Sequence, residues 1–482
     1  MAQPRRRLAI ASSLLLIGIH LALFGSNLSN PGISQFDEFL SVDRTLGFLR
    51  TGDFLTTYTN CRPCWIKPPL QFYLGALSTK LGLTPVVALR LWSATFAALS
   101  LWLVVLLTLR LRPEQPWCAP TAVLFCASSA FFAEFTHRAM LETGYVFFIL
   151  LAVYGVTRAT ENSTFWILWA AGCGFGTLQK VPMAWPISLI WMYGLYRSGS
   201  LPGLRALLRD KWFRVSLVLN LLLTAAWPMI QTIKYGAIYR RVAPSRWIFR
   251  LTTGVESHDG KGLGFNLGWL NWLLTDSWLF WVLTFAILIW VFCNPTLRQE
   301  TSLWLLAPVV PVLLGFTFGG GPFGEYYILT FMPLVAVVTA ILLGKLIQRE
   351  HLLLLIALFV FLASGKNLAQ ANLHGADETL FDLRASCDRL SSHLRPGETP
   401  LFFAYDDPFS AAFGVLDQPI EICTVGKFPE AGQDYLAVVR LSRLDEIQQR
   451  WLGRSEVLET VGRFATVRLD SNRLPQDPGE RL

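Results

Sequence analysis

Long apolar segments fill the first 365 residues and limit what this chain can fold into. A membrane-spanning helix needs roughly 20 mostly apolar residues, because the backbone must satisfy its own hydrogen bonds where no water is present. Eleven segments predict such helices, at residues 8–28, 86–110, 117–134, 140–157, 164–180, 183–196, 213–232, 274–293, 301–318, 326–344 and 351–365. We therefore expect a polytopic α-helical membrane protein.

Charged residues divide the chain into two parts. Residues 1–365 contain 28 Lys and Arg with 15 Asp and Glu, about 12% of positions. Residues 366–482 contain 13 basic and 18 acidic residues, about 26%, which is close to the average of soluble proteins. This distribution predicts a membrane domain at 1–365 and a soluble domain at 366–482. It argues against a soluble enzyme, a disordered chain and a nucleic-acid-binding protein.

The soluble domain alternates between helix and strand patterns. Leucines at helical spacing predict a helix over residues 380–394, and a second helix is expected near 443–452. Strands are predicted at residues 400–405, 420–424, 435–441 and 464–469. A small C-terminal α/β domain follows from this alternation.

Lys and Arg in the short loops set the orientation. Arg5, Arg6 and Arg7 precede the first apolar segment and place the N-terminus in the cytoplasm, as an uncleaved first helix rather than a signal peptide. The segments expected outside are 29–85, 134–139, 233–273, 319–325 and the chain from 366. Residues 233–273 are nevertheless basic, either because the rule is statistical or because they form a surface for lipid phosphates.

Cysteines support an oxidising outer compartment. Four lie in predicted helices and are interpreted as small apolar residues of the packing, namely Cys118, Cys126, Cys173 and Cys293. Cys61 and Cys64 form a Cys-Arg-Pro-Cys element without the second pair that a zinc site needs, so a disulfide is the favoured hypothesis. A pairing of Cys387 with Cys423 is a weaker one.

The first outside segment holds the densest set of candidate residues. It begins with Asp37-Glu38 in an amphipathic stretch suited to an interfacial helix, which Gly52 is expected to end. Thr51-Gly52-Asp53 and Lys67-Pro68-Pro69-Leu70 follow, and the two prolines hold the lysine rigidly. Asp37 and Glu38 could merely stabilise a helix N-terminus. A rigid cation near adjacent carboxylates is also suited to binding a lipid phosphate and deprotonating an acceptor.

This order of motifs resembles the GT-C glycosyltransferases that use polyprenyl-phosphate sugars, in particular the lipid A aminoarabinose transferases and the bacterial protein mannosyltransferase-like proteins. Downstream, Arg138-x-x-x-Glu142, Lys180-Val181-Pro182 and a Tyr327…Pro333 element continue the resemblance over nearly the whole chain. It departs at Leu40 and Ile66, where the family commonly has arginine and glutamate. The resemblance implies up to thirteen transmembrane helices and an inverting transfer of a sugar from undecaprenyl or another polyprenyl phosphate.

The resemblance also implies roles for single residues. Asp37 is the expected general base, and Glu142 is a second catalytic carboxylate that orients the acceptor or shares the base role. The expected substrate-binding residues are Glu38, Lys67, Arg138, Lys180 and Tyr327. Glu38 supports Asp37 or the local helix, and Lys180 either binds lipid phosphate or extends to the membrane interface.

Other candidates have plainer interpretations. His137 beside Glu134 is more typical of an interfacial residue than of a ligand, and Glu256, His258 and Asp259 are more typical of a solvated loop. The glycine run at 319–324 suggests a flexible loop facing the site. No metal ligands and no cofactor are assigned, the lipid-linked sugar being the donor, and metal dependence stays open.

The resulting prediction is a multi-pass protein of the inner (plasma) membrane whose active site and C-terminal domain face the periplasmic side. Its partners would be the polyprenyl-phosphate sugar, membrane lipids and a glycolipid, glycan or protein acceptor of the cell envelope, without nucleic acid and in an unknown oligomeric state. Two alternatives remain. One is a transporter or flippase of lipid-linked sugars, although no inverted repeat is evident. The other is a non-catalytic envelope assembly factor with the same fold.

Overall fold

A computed structural model gives the architecture of the chain. It describes residues 2–25, 28, 36–59, 62–65, 67–253, 267–318 and 325–373, and in the C-terminal part 399–403, 434–445 and 455–470 with isolated positions 382, 385–386, 389, 392–393, 395 and 448. Every one of the eleven predicted apolar segments lies on a helix or on two consecutive helices. The secondary-structure prediction for the membrane domain is thus confirmed.

Sixteen helices are present in the described residues. In chain order they are α1 (Ala2–Phe24), α2 (Phe36–Thr51), α3 (Leu70–Lys80), α4 (Pro85–Leu111), α5 (Cys118–Ala127), α6 (Ala130–Thr136), α7 (Glu142–Ala159), α8 (Trp166–Gln179), α9 (Ala184–Arg197), α10 (Leu204–Leu207), α11 (Lys211–Thr253), α12 (Trp269–Cys293), α13 (Val309–Phe318), α14 (Met332–Leu346), α15 (Glu350–Ala363) and α16 (Gly365–Leu373). Short 3₁₀ turns precede α8, α13 and α14.

Four helices are individually long and apolar enough to cross a membrane: α1 from Gln3, α4, α11 up to Ala243, and α12. The pair α5 and α6 adds a fifth if the two helices, which meet at 78°, form one broken span. Two further apolar helices, α14 and α15, are shorter. These counts refer to the described residues and rest on length and composition alone.

Polar side chains satisfy the backbone at the helix breaks. Asp276, at the break within α12, accepts hydrogen bonds from the Ser129 hydroxyl (2.7 Å) and the Phe131 N–H (3.0 Å) at the start of α6. Ser277 reaches the hydroxyls of Ser128 at 3.1 Å and Ser364 at 2.8 Å. Because unpaired polar groups are costly in an apolar medium, this polar cluster stabilises the bend between α5 and α6 and the break within α12.

Small residues bring the central helices together. The main apolar core extends through α4, α5, α7, α8, α9 and α14. A Cβ on Gly172 of α8 would lie 2.5 Å from the Ala152 N of α7. Only glycine therefore permits this helix spacing, as at many interfaces between membrane helices. The α7–α8 contact matters for function because Glu142 begins α7 and Lys180 directly follows α8.

The predicted amphipathic helix of the first outside segment is α2. It ends at Gly52, whose φ of 67° suits the left-handed position that glycine favours and whose N–H bonds to the Phe48 carbonyl at 3.0 Å. Apolar Leu46 and polar Thr45 are both buried, since α3, α4 and the loop after α2 cover this helix. A hairpin of β1 (Tyr58–Thr59) and β2 (Arg62–Pro63) then leads to α3.

A four-stranded sheet forms the described part of the C-terminal domain. Its strands are β3 (Thr399–Phe403), β4 (Asp434–Arg440), β5 (Ser455–Val461) and β6 (Phe464–Asp470), in the order β3-β4-β6-β5. Three of them match predicted strands, while β5 was not predicted. The predicted strand at 420–424 and most of the two predicted helices lie outside the described residues.

Candidate functional site

Glu142 and Lys180 form a buried ion pair. Glu142 is the first residue of α7, and Lys180 ends α8 with non-helical backbone angles. The Lys180 Nζ donates to the Glu142 Oε1 at 2.6 Å, and both side chains are at most 6% exposed. Two residues that the motifs placed in separate elements thus lie in direct contact.

Aromatic rings surround the lysine of this pair. The Lys180 Nζ lies 4.7 Å from the centroid of the Tyr327 ring and 5.8 Å from that of Tyr145. Ring faces attract a cation at these distances. Tyr327, predicted as a substrate-binding residue, is therefore brought to Lys180 from a part of the chain 147 residues further along the sequence.

The carboxylate of Glu142 keeps one oxygen available. Its Oε2 is buried and has no hydrogen-bond partner among the described residues, whereas Oε1 is bound by Lys180. A buried acceptor without a partner costs about 1–3 kcal/mol. Such an oxygen is suited to accept a hydrogen bond from a substrate hydroxyl.

Glu38 is held from two sides. It is wholly buried, and its Oε1 accepts from Arg90 Nε at 2.9 Å and from the Ala139 N–H at 2.8 Å. Burial opposes ionisation of Glu38, but the Arg90 guanidinium, the Ala139 N–H and nearby Arg138 outweigh it, so the pKa of Glu38 lies below its usual value. These contacts favour the supporting role that the sequence suggested for Glu38.

Arg138 lies next to the residue that Glu38 binds. Its guanidinium is buried, and Nη2 pairs with the Glu134 Oε1 at 2.6 Å. The neighbouring His137 is also buried, and burial followed by the Arg138 charge lowers its pKa to about 4. His137 is therefore neutral near pH 7, with Nδ1 next to the Ala133 carbonyl at 3.2 Å.

The Lys-Pro-Pro element leads into α3. Lys67 is partly exposed, and Pro69 immediately precedes the first helical residue, Leu70. The Thr57 hydroxyl donates to the Cys64 carbonyl, and the Cys64 N–H donates to the Thr57 carbonyl at 2.8 Å. The loop before Lys67 is thus fastened to the hairpin.

The Thr-Gly-Asp element is attached to α11. Asp53 forms an ion pair with Lys234 and accepts a 2.6 Å hydrogen bond from the Tyr58 hydroxyl. Burial opposes ionisation of Asp53, but the bonds from Lys234, Tyr58 and the Leu55 N–H prevail and lower its pKa. We call this group of contacts between the first loop and α11 the loop clasp.

Gln231 extends the loop clasp. Its amide donates to the Leu55 carbonyl at 2.6 Å and accepts from Trp65 Nε1 at 3.1 Å. Part of the basic segment at 233–273 therefore binds protein carboxylate, because Lys234 is engaged with Asp53. The side chains of Arg246, Arg250 and Lys261 lie outside the described residues.

Several residues predicted from the sequence lie outside the described part of the structure. Asp37 lies on α2, but its side chain is outside the described part of the structure, as are Glu256, His258, Asp259, residues 319–324 and the cysteines Cys61, Cys387 and Cys423. Within the described residues, no group of three or more His, Cys, Asp or Glu side chains is arranged to hold a metal ion. Cys118, Cys126 and Cys173 are buried in the helical body, as expected of apolar packing, whereas Cys293, predicted in the same way, is exposed at the end of α12.

The sequence interpretation overlooked Arg90, Gln71 and Gln179. Arg90 lies inside a predicted membrane helix, where an ionisable residue is usually functional or paired, so this signal was present. Gln71 directly follows Lys67-Pro68-Pro69-Leu70, and Gln179 directly precedes Lys180. Their position next to the motifs was the only signal in the sequence, because an uncharged glutamine does not stand out in charge or hydropathy.

The sequence is similar to known proteins over part of its length. Residues 36–233 match the model of the family "Dolichyl-phosphate-mannose-protein mannosyltransferase". An uncharacterized protein of Aquifex aeolicus (strain VF5) is 32% identical over 169 residues, which make up 33% of this chain and 38% of that relative. The chain thus spans little more than a third of the length of this curated relative.

Solved structures extend the similarity to the whole chain. ArnT from Cupriavidus metallidurans bound to undecaprenyl phosphate superimposes with a TM-score of 0.69 and 13% identity, covering 96% of this chain and 99% of ArnT. ArnT in the apo state gives a TM-score of 0.70 at 13% identity, covering 97% and 100%. The chain therefore shares the fold of ArnT, and its residues 36–233 match the model of a mannosyltransferase family.

Proposed function

We propose that this chain is an integral membrane glycosyltransferase that moves a sugar from a polyprenyl-phosphate donor to a lipid, glycan or protein acceptor. The transfer would take place at the periplasmic face of the inner membrane. The observation that carries the proposal is the buried Glu142–Lys180 pair, with Tyr327 over the lysine and one Glu142 oxygen without a partner in the described residues. The fold shared with ArnT, which was crystallised with undecaprenyl phosphate, supports the donor class.

The proposed reaction is a single displacement. The acceptor hydroxyl oxygen bonds to the anomeric carbon of the sugar while the bond from that carbon to the phosphate oxygen breaks. Asp37 takes the hydroxyl proton as general base, and the polyprenyl phosphate leaves with the bonding electron pair. One displacement inverts the configuration at the anomeric carbon.

Cationic side chains would stabilise the leaving group. Lys67, Lys180 and Arg138 are assigned to the negative charge that builds on the phosphate oxygen, an effect that is large in a water-excluded site. Lys180 is paired with Glu142 in the structure. On binding, the donor phosphate would either share Lys180 with Glu142 or replace Glu142 as its partner. Glu142 would then orient the acceptor through its second oxygen.

Contacts between loops support the proposed orientation of the site. The loops predicted to be cytoplasmic bind each other, in Arg110–Glu161 (2.8 Å), Gln115–Gln348 (3.4 Å) and Arg5–Glu350 (3.6 Å). The segments predicted to lie outside also meet, in the loop clasp. This grouping supports a cytoplasmic N-terminus, with the site and the C-terminal domain on the periplasmic side of the inner membrane.

Sugar transfer in membranes tests the proposed general base. Membranes containing wild type or Asp37→Asn would receive candidate polyprenyl-phosphate sugars and acceptors, and products would be identified by mass spectrometry. We expect transfer by wild type and a loss of about 10²–10⁴-fold in Asp37→Asn. Asp210→Asn is the matched control, because Asp210 only caps α11 through the Phe213 N–H at 2.8 Å and Asn caps equally well.

Two outcomes contradict this proposal. Full activity of Asp37→Asn with a hydroxyl acceptor removes Asp37 as the base. Movement of lipid-linked sugar across the bilayer by wild type without any transfer product identifies the transporter alternative instead.

Lys67 and cofactor dependence have separate tests. Lys67→Ala is expected to raise the donor KM, whereas Lys211→Ala at the far end of α11 is not.

The proposal includes no cofactor, so activity should survive chelation of divalent cations. Loss on chelation, with recovery on adding one cation, would show that a metal belongs to the site.

A further inference from the structure

The chain between Arg138 and Glu142 is irregular, so neither helix geometry nor a strand fixes its position. Residues 138–141 lie between the ends of α6 and α7. The Met140 N–H bonds to the Arg138 carbonyl at 2.7 Å, and the Ala139 N–H bonds to Glu38. The Leu141 carbonyl accepts the Tyr145 N–H of α7 at 3.0 Å and can accept one further hydrogen bond, whereas the Met140 carbonyl takes its partners from outside this segment.

Side chains from three other helices bind these carbonyls. The Met140 carbonyl accepts from Gln71 Nε2 of α3 at 2.8 Å and from the Ser93 hydroxyl of α4 at 3.1 Å. The Leu141 carbonyl accepts from Gln179 Nε2 of α8 at 3.0 Å. Gln179 Nε2 also donates to the Gln71 Oε1, so the two amides are joined. We call Gln71, Ser93 and Gln179 the amide clamp.

The clamp is fully buried and closely fitted. Gln71, Ser93 and Gln179 have no exposed surface. A Cβ on Gly144 would lie 2.4 Å from the Gln179 Nε2. Glycine at this position of α7 leaves the space in which Gln179 reaches the Leu141 carbonyl.

The clamp also connects the elements that hold the proposed charged groups. Gln71 lies four residues after Lys67 on the first turn of α3, and Gln179 precedes Lys180. The carbonyls they bind lie between Arg138 and Glu142. Hydrogen bonds thus tie together the three chain segments that carry Lys67, Lys180 and the Arg138–Glu142 element.

We propose that Gln71, Ser93 and Gln179 are positioning residues, which set the Arg138–Glu142 segment relative to Lys67 and Lys180 for sugar transfer. This inference rests on the proposed function for its catalytic consequence. Its physical basis is that small misplacement of reacting groups is expensive, about 100-fold in rate for about 1 Å. None of the three side chains needs to touch substrate.

Hydrogen–deuterium exchange of the full-length protein in detergent tests the clamp without any substrate. Gln71→Leu and Gln179→Leu should speed exchange of backbone amides in peptides covering residues 138–146. Thr284→Val is the control, since it removes a buried hydroxyl pair with Thr339 (3.1 Å) between α12 and α14 and should leave these peptides unchanged. Unaltered exchange at 138–146 in both glutamine variants overturns the inference.

Kinetics test the catalytic consequence. We expect kcat to fall about 100-fold in Gln71→Leu and Gln179→Leu, with little change in donor KM, and Thr284→Val to match wild type. If Gln71 acts through the segment, Gln71→Leu added to Glu142→Gln should lower kcat less than it does alone. Wild-type kcat in both glutamine variants, or full additivity with Glu142→Gln, contradicts the positioning role.

The two proposals fail differently. If wild type transfers no sugar, the proposed function is wrong, and the exchange experiment alone decides whether the clamp holds the segment. If wild type transfers sugar but both glutamine variants keep the wild-type kcat, only the clamp inference is wrong.

Discussion

Glu142 and Lys180 each offset the cost of burying the other's charge. Removing one member of a buried ion pair costs about 3–5 kcal/mol, whereas replacing both by neutral groups is often close to neutral. We therefore expect Glu142→Gln and Lys180→Met each to lower the unfolding temperature in detergent. The double variant should be more stable than either single variant. Additive losses in the double variant would show that the two side chains are stabilised independently.

Glu38 allows a prediction about pH. Its pKa is lowered in the folded protein, so its contribution to stability is complete above the unfolded value of about 4.3 and declines as pH falls through the lower folded value. The difference in unfolding temperature between wild type and Glu38→Gln should then be constant from pH 8 to pH 5.5. A difference that shrinks across this range would mean that Glu38 is protonated there.

At the scale of residues, sequence identified charged candidates better than their partners. Lys180 stood out because ionisable groups are rare at membrane depth, and Glu142 because of its place in a motif. Their pairing was not predictable, since they lie 38 residues apart on different helices. The Glu38–Arg90 pair could not be predicted for the same reason. Contact between two helices depends on how each helix is rotated about its axis and how deep it lies in the membrane, and hydropathy encodes neither.

At the scale of elements, the loop clasp explains how a long outside segment is kept in place. Asp53 and Lys234 are partly exposed, so we expect Lys234→Met to cost at most about 1 kcal/mol. Its main effect should be local, as faster hydrogen exchange in residues 53–59. Lys211→Met, at the other end of α11, is the matched control and should leave that exchange unchanged. Equal exchange in both variants would mean that the remaining contacts suffice, namely those of Gln231 and the hydrogen bond from the Tyr235 hydroxyl to the Thr56 hydroxyl at 3.2 Å.

The positions of helices were predictable but their breaks were not. Apolar length located all eleven segments, because the requirement for internal backbone hydrogen bonding is severe. The bend between α5 and α6 and the interruption of α12 depend on Asp276, Ser128 and Ser277 meeting in space. The strand β5 was missed because its residues alternate weakly, and pairing with β6 stabilises it.

At the scale of the whole molecule, ionic contacts sort the loops into two groups. Each group contains only loops that the positive-inside rule assigns to one face, which loops of random orientation would not do. The rule and the contacts are independent, since one uses counts of Lys and Arg and the other uses distances. Together they predict that Glu142, Lys180 and the loop clasp share one compartment, opposite to the N-terminus.

Labelling with a membrane-impermeant maleimide tests this topology. Cys293 is exposed at the end of α12, on the predicted cytoplasmic side, and should react only after cells are permeabilised. A cysteine introduced by Thr51→Cys, at an exposed position beside Gly52, should react in intact cells because small reagents reach the periplasmic face. Ser200→Cys, exposed between α9 and α10, is the cytoplasmic control and should behave like Cys293. If Cys293 reacts in intact cells and the cysteine of Thr51→Cys does not, the orientation is the opposite of the predicted one. The site would then face the cytoplasm, where periplasmic acceptors have no access.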